Sequence, residues 1–427
     1  MGVIMMTGNK EVITGSDFKR MVTGAYSEFL LEYENINELS RNSAEGSMQD
    51  SLPGTHILRT MGAAVLPLAD TKDESIGGLS RRVANAAMLG ARGNAGVVLA
   101  QLFRGIAKGL LGKYDATSSE FGKAFQYGIL YAQRVIPEKP ERPIITAAKA
   151  VAKGAYHAVR ANLPISEILT VAIESGEKPL DDTMRADVGA RIMIVFLKGC
   201  LQGLDGNFVS PTVSLSLGLG SGKSSMPDPR EDMVRPYCLS FTVENTKADA
   251  AGIEQQLKSN GSFIVVERRS QSLRIHIHTD HPGNVIEQAV GWGRLRAVEL
   301  INMAEPHALP AAKGSLMPVA VLAIASDKAQ AEKLQNAGAT VILEGSGQNC
   351  PSVGEIIHAA HSDFAAAYVV LANHVSQGLV LQQAKRILGD RIEPVLAADG
   401  AMQCEVLRLF DAKCSVRENA DRMNQKC

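Results

Sequence analysis

The sequence predicts a multidomain α and α/β protein: an all-helical N-terminal domain, a small α/β middle domain and a C-terminal parallel α/β domain. Three observations predict it. Residues 16–206 carry helical apolar spacing with no convincing strand. A stretch rich in Gly, Ser and Pro, residues 207–235, then separates them from segments of period two. From Pro318 onward, short apolar strands alternate with helices, as in a parallel sheet. The bounds that follow are a helical domain at 1–206, a linker at 207–235, a middle domain at 236–310 and a C-terminal domain at 311–427.

The elements read in order. Ser16 and Asp17 can cap a first helix whose apolar face runs through Phe18, Met21, Val22, Ala25 and Phe29. Further helices are expected at Ser80–Leu89, Val97–Leu111, Ser119–Val135, Ile144–Val159, Ile165–Glu174 and Asp187–Leu201. Their small residues allow close packing. Tyr237–Val243, Ser262–Glu267 and Ser272–Thr279 read as strands, with helices at Ala248–Leu257 and Gly283–Gly293. In the last domain the strands are Val319–Ser326, Thr340–Glu344, Ala367–Ala372 and Ile392–Ala397. Helices fall at Lys328–Ala337, Ser352–His361 and Ser376–Leu388.

Composition narrows the classes. A chain of 427 residues with 45% hydrophobic and 21% charged residues has material for two or three cores. Its net charge of -1 leaves no basic field to hold a nucleic acid backbone. The longest apolar run, Ile192–Leu197, is far shorter than the ~20 residues of a membrane span. The N-terminus shows no signal-peptide pattern. Its Met-Gly start lacks the Ser or Thr that myristoylation prefers at position six, where Met6 stands. Six scattered cysteines without a CxxC pair fit reduced thiols and a cytoplasmic location.

Two motifs carry chemistry. Gly90-Ala91-Arg92-Gly93-Asn94-Ala95-Gly96 has three glycines in seven residues and leads into a helix. Such a loop can aim backbone N–H groups and a helix N-terminus at an anion, and a bare glycine lets a phosphate approach closely. The same string equally describes a tight turn between packed helices. In Arg274-Ile275-His276-Ile277-His278-Thr279, period two puts both imidazoles on one strand face, with Cys238 available as a third zinc ligand. Histidines half-buried or facing solvent have the same spacing.

GARGNAGVVLAQLFRG resembles the GARGNSGVILSQ loop of bacterial fatty acid kinases, which carry the DhaL-type helical barrel of dihydroxyacetone kinases. Ile36-Asn37-Glu38-Leu39 resembles the family's INxLN, and Gly54-Thr55-His56-Ile57-Leu58-Arg59-Thr60-Met61 its GTNMxxTM. Ile168-Leu169-Thr170-Val171 and Asp187-Val188-Gly189-Ala190 resemble its TILTV and its pocket-closing DAGG segment. YCLSF at 237–241 and HIHTDHPG at 276–283 resemble its YCTEF and HVHTNDPG, and Asn302-Met303-Ala304-Glu305 its NMREQ. The resemblance covers nearly the whole chain.

It implies an ATP-dependent kinase transferring the γ-phosphoryl group to a fatty acid held by a DegV-like partner, in a homodimer. The implied nucleotide-binding positions are Gly54, Thr55, His56, Gly90, Ala91, Gly93, Asn94, Ala95, Gly96, Thr170, Asp187 and Gly189. Asp50 is the implied catalytic and magnesium-binding carboxylate, and Cys238, His276 and His278 are the implied zinc ligands. The metal loop departs from the family pattern LNVFPVPDGDTGTNM. Leu52 stands where a second aspartate belongs, Ser40 replaces an Asn, His56 replaces the Asn of GTNM, and the segment is about four residues longer. Glu45 or Asp50 could supply ligands in an altered arrangement. The alternatives are a dihydroxyacetone-kinase-like enzyme and a non-catalytic nucleotide- and partner-binding scaffold. GSGQNCPS at 345–352 and LANH at 371–374 resemble the family's GGQTMNPS and LPNN, although plain turn chemistry explains them as well. The chain ends before the family's C-terminal domain does, so a shortened domain is expected.

Overall fold

Thr14 and Asp17 start the first helix as a reciprocal pair. The Asp17 N–H donates to Thr14 Oγ1 at 3.2 Å, while Asp17 Oδ2 accepts from the Thr14 backbone and hydroxyl at 3.0 and 2.8 Å. The cap is therefore Thr14 rather than Ser16, because only Thr14 lies three residues ahead of the acid. The computed structural model describes residues 12–42, 50–69, 71–72, 74–136, 143–178, 187–206, 237–246, 249–269, 272–302, 317–361 and 365–427. The linker at 207–235 and Glu45 lie outside them.

The first unit is helical: α1 (Gly15–Asn42), α2 (Pro53–Ala69), α3 (Ile76–Leu89), α4 (Gly93–Gly109), α5 (Ser118–Gln133), α6 (Pro143–Arg160), α7 (Ile165–Glu177) and α8 (Val188–Asp205). Phe18, Phe103, Phe121, Phe125 and Phe196 line its interior, and Phe103 meets Phe196 edge to face with centroids 5.7 Å apart. Two features go beyond the sequence-based expectation. Helix α2 covers a stretch that reads in sequence only as a motif. A two-residue antiparallel ladder joins β1 (Val12–Ile13) to β2 (Ala116–Thr117).

The second unit is an antiparallel sheet in the order β4-β5-β3-β6, built from β3 (Tyr237–Glu244), β4 (Ser262–Arg269), β5 (Ser272–Thr279) and β6 (Arg294–Asn302). Helices α9 (Ala250–Leu257) and α10 (Pro282–Val290) bury Ile253, Leu257, Val285 and Ala289 against Leu239, Phe241, Val243, Leu273, Ile275 and Ile277. Strand β6 is not evident from sequence because its charged residues break the apolar alternation.

The third unit is a parallel sheet in the order β10-β9-β7-β8. Its elements are β7 (Met317–Ala325), α11 (Lys328–Asn336), β8 (Val341–Glu344), α12 (Val353–Ala360), β9 (Ala365–Ala372), α13 (Gly378–Leu388), β10 (Ile392–Leu396), α14 (Gly400–Leu407) and α15 (Val416–Asn424). Alternate residues serve opposite faces. Val319, Val321, Ala323, Val369, Leu371 and Val395 pack with Leu334, Val406, Leu407 and Met423 from α11, α14 and α15. Ala320, Leu322, Ile324, Tyr368 and Val370 meet α12 and α13, and this core runs on into the helical unit. Helix α13 packs on α4, and α12 on α3. The carboxyl ends of the strands thereby come to the glycine loop. No helix among the described residues is long and apolar enough to cross a membrane.

Helices α1 and α8 touch backbone to backbone. A Cβ placed on Gly203 would lie 2.1 Å from the Arg20 carbonyl oxygen, and one on Gly24 would lie 2.4 Å from the Gly199 oxygen. Neither neighbour can retreat without bending a helix. Gly203→Ala is therefore expected to destabilise the protein by about 1–3 kcal/mol, read as a lowered melting temperature in a calorimetric scan. An unchanged melting temperature would contradict the close crossing.

Candidate functional site

The glycine loop connects α3 to α4. Gly90 closes α3 with its N–H on the Ala86 carbonyl at 2.9 Å, and Arg92 lies in extended backbone just before α4. Gly93 then takes φ +59°, which only glycine adopts without strain. Its Cα is pressed against two side chains: an added Cβ would meet His56 Nδ1 at 2.2 Å and Asp50 Oδ2 at 2.4 Å. The Gly96 N–H donates to the Arg92 carbonyl at 3.1 Å, the first helical bond of the turn. Helix α2 is fixed beside the loop by Asn37. Its Oδ1 accepts from the Gly54 and Thr55 N–H groups at 2.8 and 3.3 Å, and its Nδ2 donates to Thr55 Oγ1 at 2.8 Å.

Asp50 and His56 form a buried pair at the centre. Asp50 Oδ1 lies 2.6 Å from His56 Nδ1, with both side chains fully buried. The carboxylate only accepts, so Nδ1 carries the proton and donates it. Asp50 Oδ2 accepts the Ala95 N–H at 3.0 Å. The carboxylate thus sits where the start of α4 favours negative charge. His56 Nε2 is buried with no hydrogen-bond partner. Ser40, which replaces the family's Asn, donates its hydroxyl to the Asp50 carbonyl at 3.2 Å. The Leu52 carbonyl accepts the His56 N–H at 3.0 Å, its side chain offering no ligand.

The C-terminal unit closes the other side, which sequence reasoning missed. Arg92 donates to the Cys350 carbonyl at 2.7 Å and pairs with Glu355 at 2.9 Å. The Ala91 carbonyl accepts the Val353 N–H at 3.1 Å. Asn94 Oδ1 accepts the Leu379 N–H at 3.1 Å, and its Nδ2 donates to the Val375 carbonyl at 3.4 Å. The Gly93 N–H faces the sulfur of Cys350, whose thiol is pushed up to about 12, chiefly by burial. His374 approaches from the loop after β9, stacked over Gly347. Its Nδ1 accepts the Ser376 N–H at 3.1 Å. The signal that could have pointed here is the polar loops at 345–352 and 371–374.

Thr170, Asp187 and Gly189 serve their own helices. Thr170 donates its hydroxyl to the Ser166 carbonyl within α7 at 2.9 Å. Asp187 caps α8 by accepting the Ala190 N–H at 2.8 Å, and Gly189 is buried in the first turn. In the middle unit, the backbone register pairs Cys238 with His278 and Ser240 with His276 on adjacent strands. Among the residues whose side chains are described, which leave out Cys238, His276 and His278, no group of three or more His, Cys, Asp or Glu could hold a metal ion. Asp50 accepts one hydrogen bond on each oxygen, and no cluster of described residues joins it as a metal site.

Comparison with known proteins defines the class to which this geometry belongs. Residues 50–193 match the family model described as DAK2 domain. Residues 235–309 match the model for the FakA-like middle domain of fatty acid kinases. In this succession of domains the chain is similar to proteins of the fatty acid kinase and Dak type. Protein YloV of Bacillus subtilis is 27% identical over 407 residues, covering 88% of this chain and 73% of its own length. An uncharacterized protein of Staphylococcus epidermidis is 25% identical over 406 residues with the same coverage. A Staphylococcus aureus counterpart is 24% identical over 403 residues, again covering 88% of this chain and 73% of its own.

Burial holds the His374 imidazole below the usual histidine range; Asp50 opposes this and His56 adds to it. The unfolded chain therefore binds more protons at this residue than the folded one, between the folded value and about 6.5. Stability from this residue is present above about pH 6.5 and lost as pH falls below it. Melting temperatures measured from pH 5 to 7.5 should fall less steeply on acidification in His374→Gln than in the unmodified protein. Equal slopes would show that the imidazole does not report this contact.

Proposed function

We propose that the chain acts as a nucleotide-dependent kinase of the fatty acid kinase type. Its reaction would form a bond between a fatty acid carboxylate oxygen and the γ-phosphorus of ATP, and break the γ-phosphorus bond to ADP. A DegV-like protein would present the acyl chain, and the acyl phosphate would feed phospholipid synthesis. The observation that carries this reading is the glycine loop, matched within the DAK2 domain and leading straight into α4. The free cysteines Cys200, Cys350, Cys404, Cys414 and Cys427 agree with a cytoplasmic location. A homodimer is proposed on the family resemblance alone.

One observation favours the scaffold reading. Phosphoryl transfer relies on metal ions that neutralise charge on the phosphate oxygens. Here Leu52 offers no ligand and Asp50 is taken up by His56 and Ala95. Among the described residues none completes a magnesium pair with Asp50, so nucleotide binding is better supported than turnover. A small-polyol kinase of the dihydroxyacetone type is the alternative substrate class within the fold.

The deciding assay is magnesium-dependent phosphorylation of partner-bound fatty acid. The unmodified chain should turn over slowly, and Leu52→Asp with His56→Asn should raise the rate by about tenfold or more. High activity in the unmodified chain would place the metal on other residues. No activity in either form, with ADP still bound, would establish the scaffold.

In the middle unit we propose that Cys238, His276 and His278 hold one zinc ion, supported by their register on neighbouring strands. Bound there, zinc would tie β3 to β5. Metal analysis should find about one zinc per chain, at bond lengths of about 2.0–2.3 Å by X-ray absorption. Protein purified without metal, and unaffected in melting by added zinc, would refute the assignment.

A further inference from the structure

We propose that the C-terminal α/β unit is an intramolecular cap on the glycine loop, so that docking of this unit and binding of a nucleotide phosphate oppose each other. The inference rests on the nucleotide reading above and goes beyond it by assigning a regulatory contact.

The first turn of a helix has N–H groups without helical partners, and these are what a phosphate would use. In α4 the chain's own atoms take two of them. The Ala95 N–H is given to Asp50 Oδ2 at 3.0 Å, and the Gly93 N–H faces the Cys350 sulfur. The loop is also crowded at the Cα of Gly93. A single carbon added at Gly93 would lie 2.4 Å from Asp50 and 2.2 Å from His56. A phosphate oxygen bonded to these N–H groups at about 2.7–3.2 Å needs the space that Asp50 and Cys350 fill. The seat is thus held by one carboxylate from its own unit and one thiol from the cap.

The cap is fastened around the seat by polar contacts. Arg92 reaches Cys350 and Glu355, Asn94 reaches Val375 and Leu379, and Arg59 donates to Asn349 at 2.7 Å. Ser51 donates to the Gly347 carbonyl, and Gln101 to Gln383 at 2.7 Å. Hydrogen bonds of this kind each contribute only about 0.5–1.5 kcal/mol net, because water replaces them on opening. A set of them can therefore be exchanged for nucleotide contacts in the loops that ring the seat, while α12 and α13 stay on the apolar core they share with the helical unit. The masking is mutual. The loops at 345–352 and 373–377 follow β8 and β9, the sheet edge where parallel α/β folds bind ligands and partners. The same contact covers both sites. By linkage, whatever factor the cap takes from nucleotide affinity, nucleotide takes from cap docking.

The test is hydrogen–deuterium exchange on the full chain with and without ADP, read with calorimetry. If the inference holds, ADP binding speeds exchange in 345–352 and 373–379. The double variant Asn349→Ala with Gln383→Ala, which leaves the seat intact, then binds ADP about tenfold more tightly. ADP binding by the variant alone would also support the cap. ADP binding that slows or leaves unchanged the exchange of those two segments would overturn it, and would point to a composite site closed on the ligand. ADP binding to neither form would sink the nucleotide reading itself, and the cap with it.

Discussion

The structure around the glycine loop depends on one interaction: the Asp50 carboxylate held between the Ala95 N–H and His56 Nδ1. A carboxylate taken out of water must recover its hydration from donors, and here one comes from a helix start and one from an imidazole. That requirement sets the neighbours. Gly93 carries no side chain because both partners crowd its Cα. Helix α2 must start where Asn37 can cap it, so that His56 falls in its first turn beside the acid. The loop itself, bonded to Thr60 through the Arg92 N–H at 3.2 Å, cannot drift from α2.

The contact with the C-terminal unit has a different character. Arg92 is nearly buried while Glu355 is part exposed, at 3% and 29% of side-chain surface. The guanidinium reaches two acceptors, which offsets its desolvation, and the exposed carboxylate keeps some water. Beneath this polar rim, α12 and α13 share one apolar core with the helical unit. A rim of exchangeable bonds over such a core confines opening to the loops that ring the seat.

Much of this was legible in the sequence, for physical reasons. The strands of the third unit are buried on both faces, so Val319–Ala325 and Val369–Ala372 read as unbroken apolar runs. The helices of the first unit announced themselves by 3.6-residue spacing. Strand β6 did not, since Arg294, Arg296 and Glu299 interrupt its period. At the site, Asp50 and the glycine loop were found, yet their relation was not. His56 read as a replaced Asn, and nothing in a single string shows an imidazole six residues on turning back to the acid. Cys350 and His374 stood in loops that read equally as binding loops and as plain turns, because their approach to Gly93 is created only by the packing of α12 and α13.

That packing also sets an order in time. The bond from Arg92 to Cys350 joins residues 258 apart in sequence, whereas Ala95 and Asp50 are 45 apart. Closing the longer loop has the larger entropic cost, and on a growing chain its far end does not yet exist. The helical unit is complete by Gly206, well before Cys350 is made. A nascent molecule therefore passes through a stage in which its glycine loop is folded but bare, and acquires the covering unit only after the residues of that unit have been made.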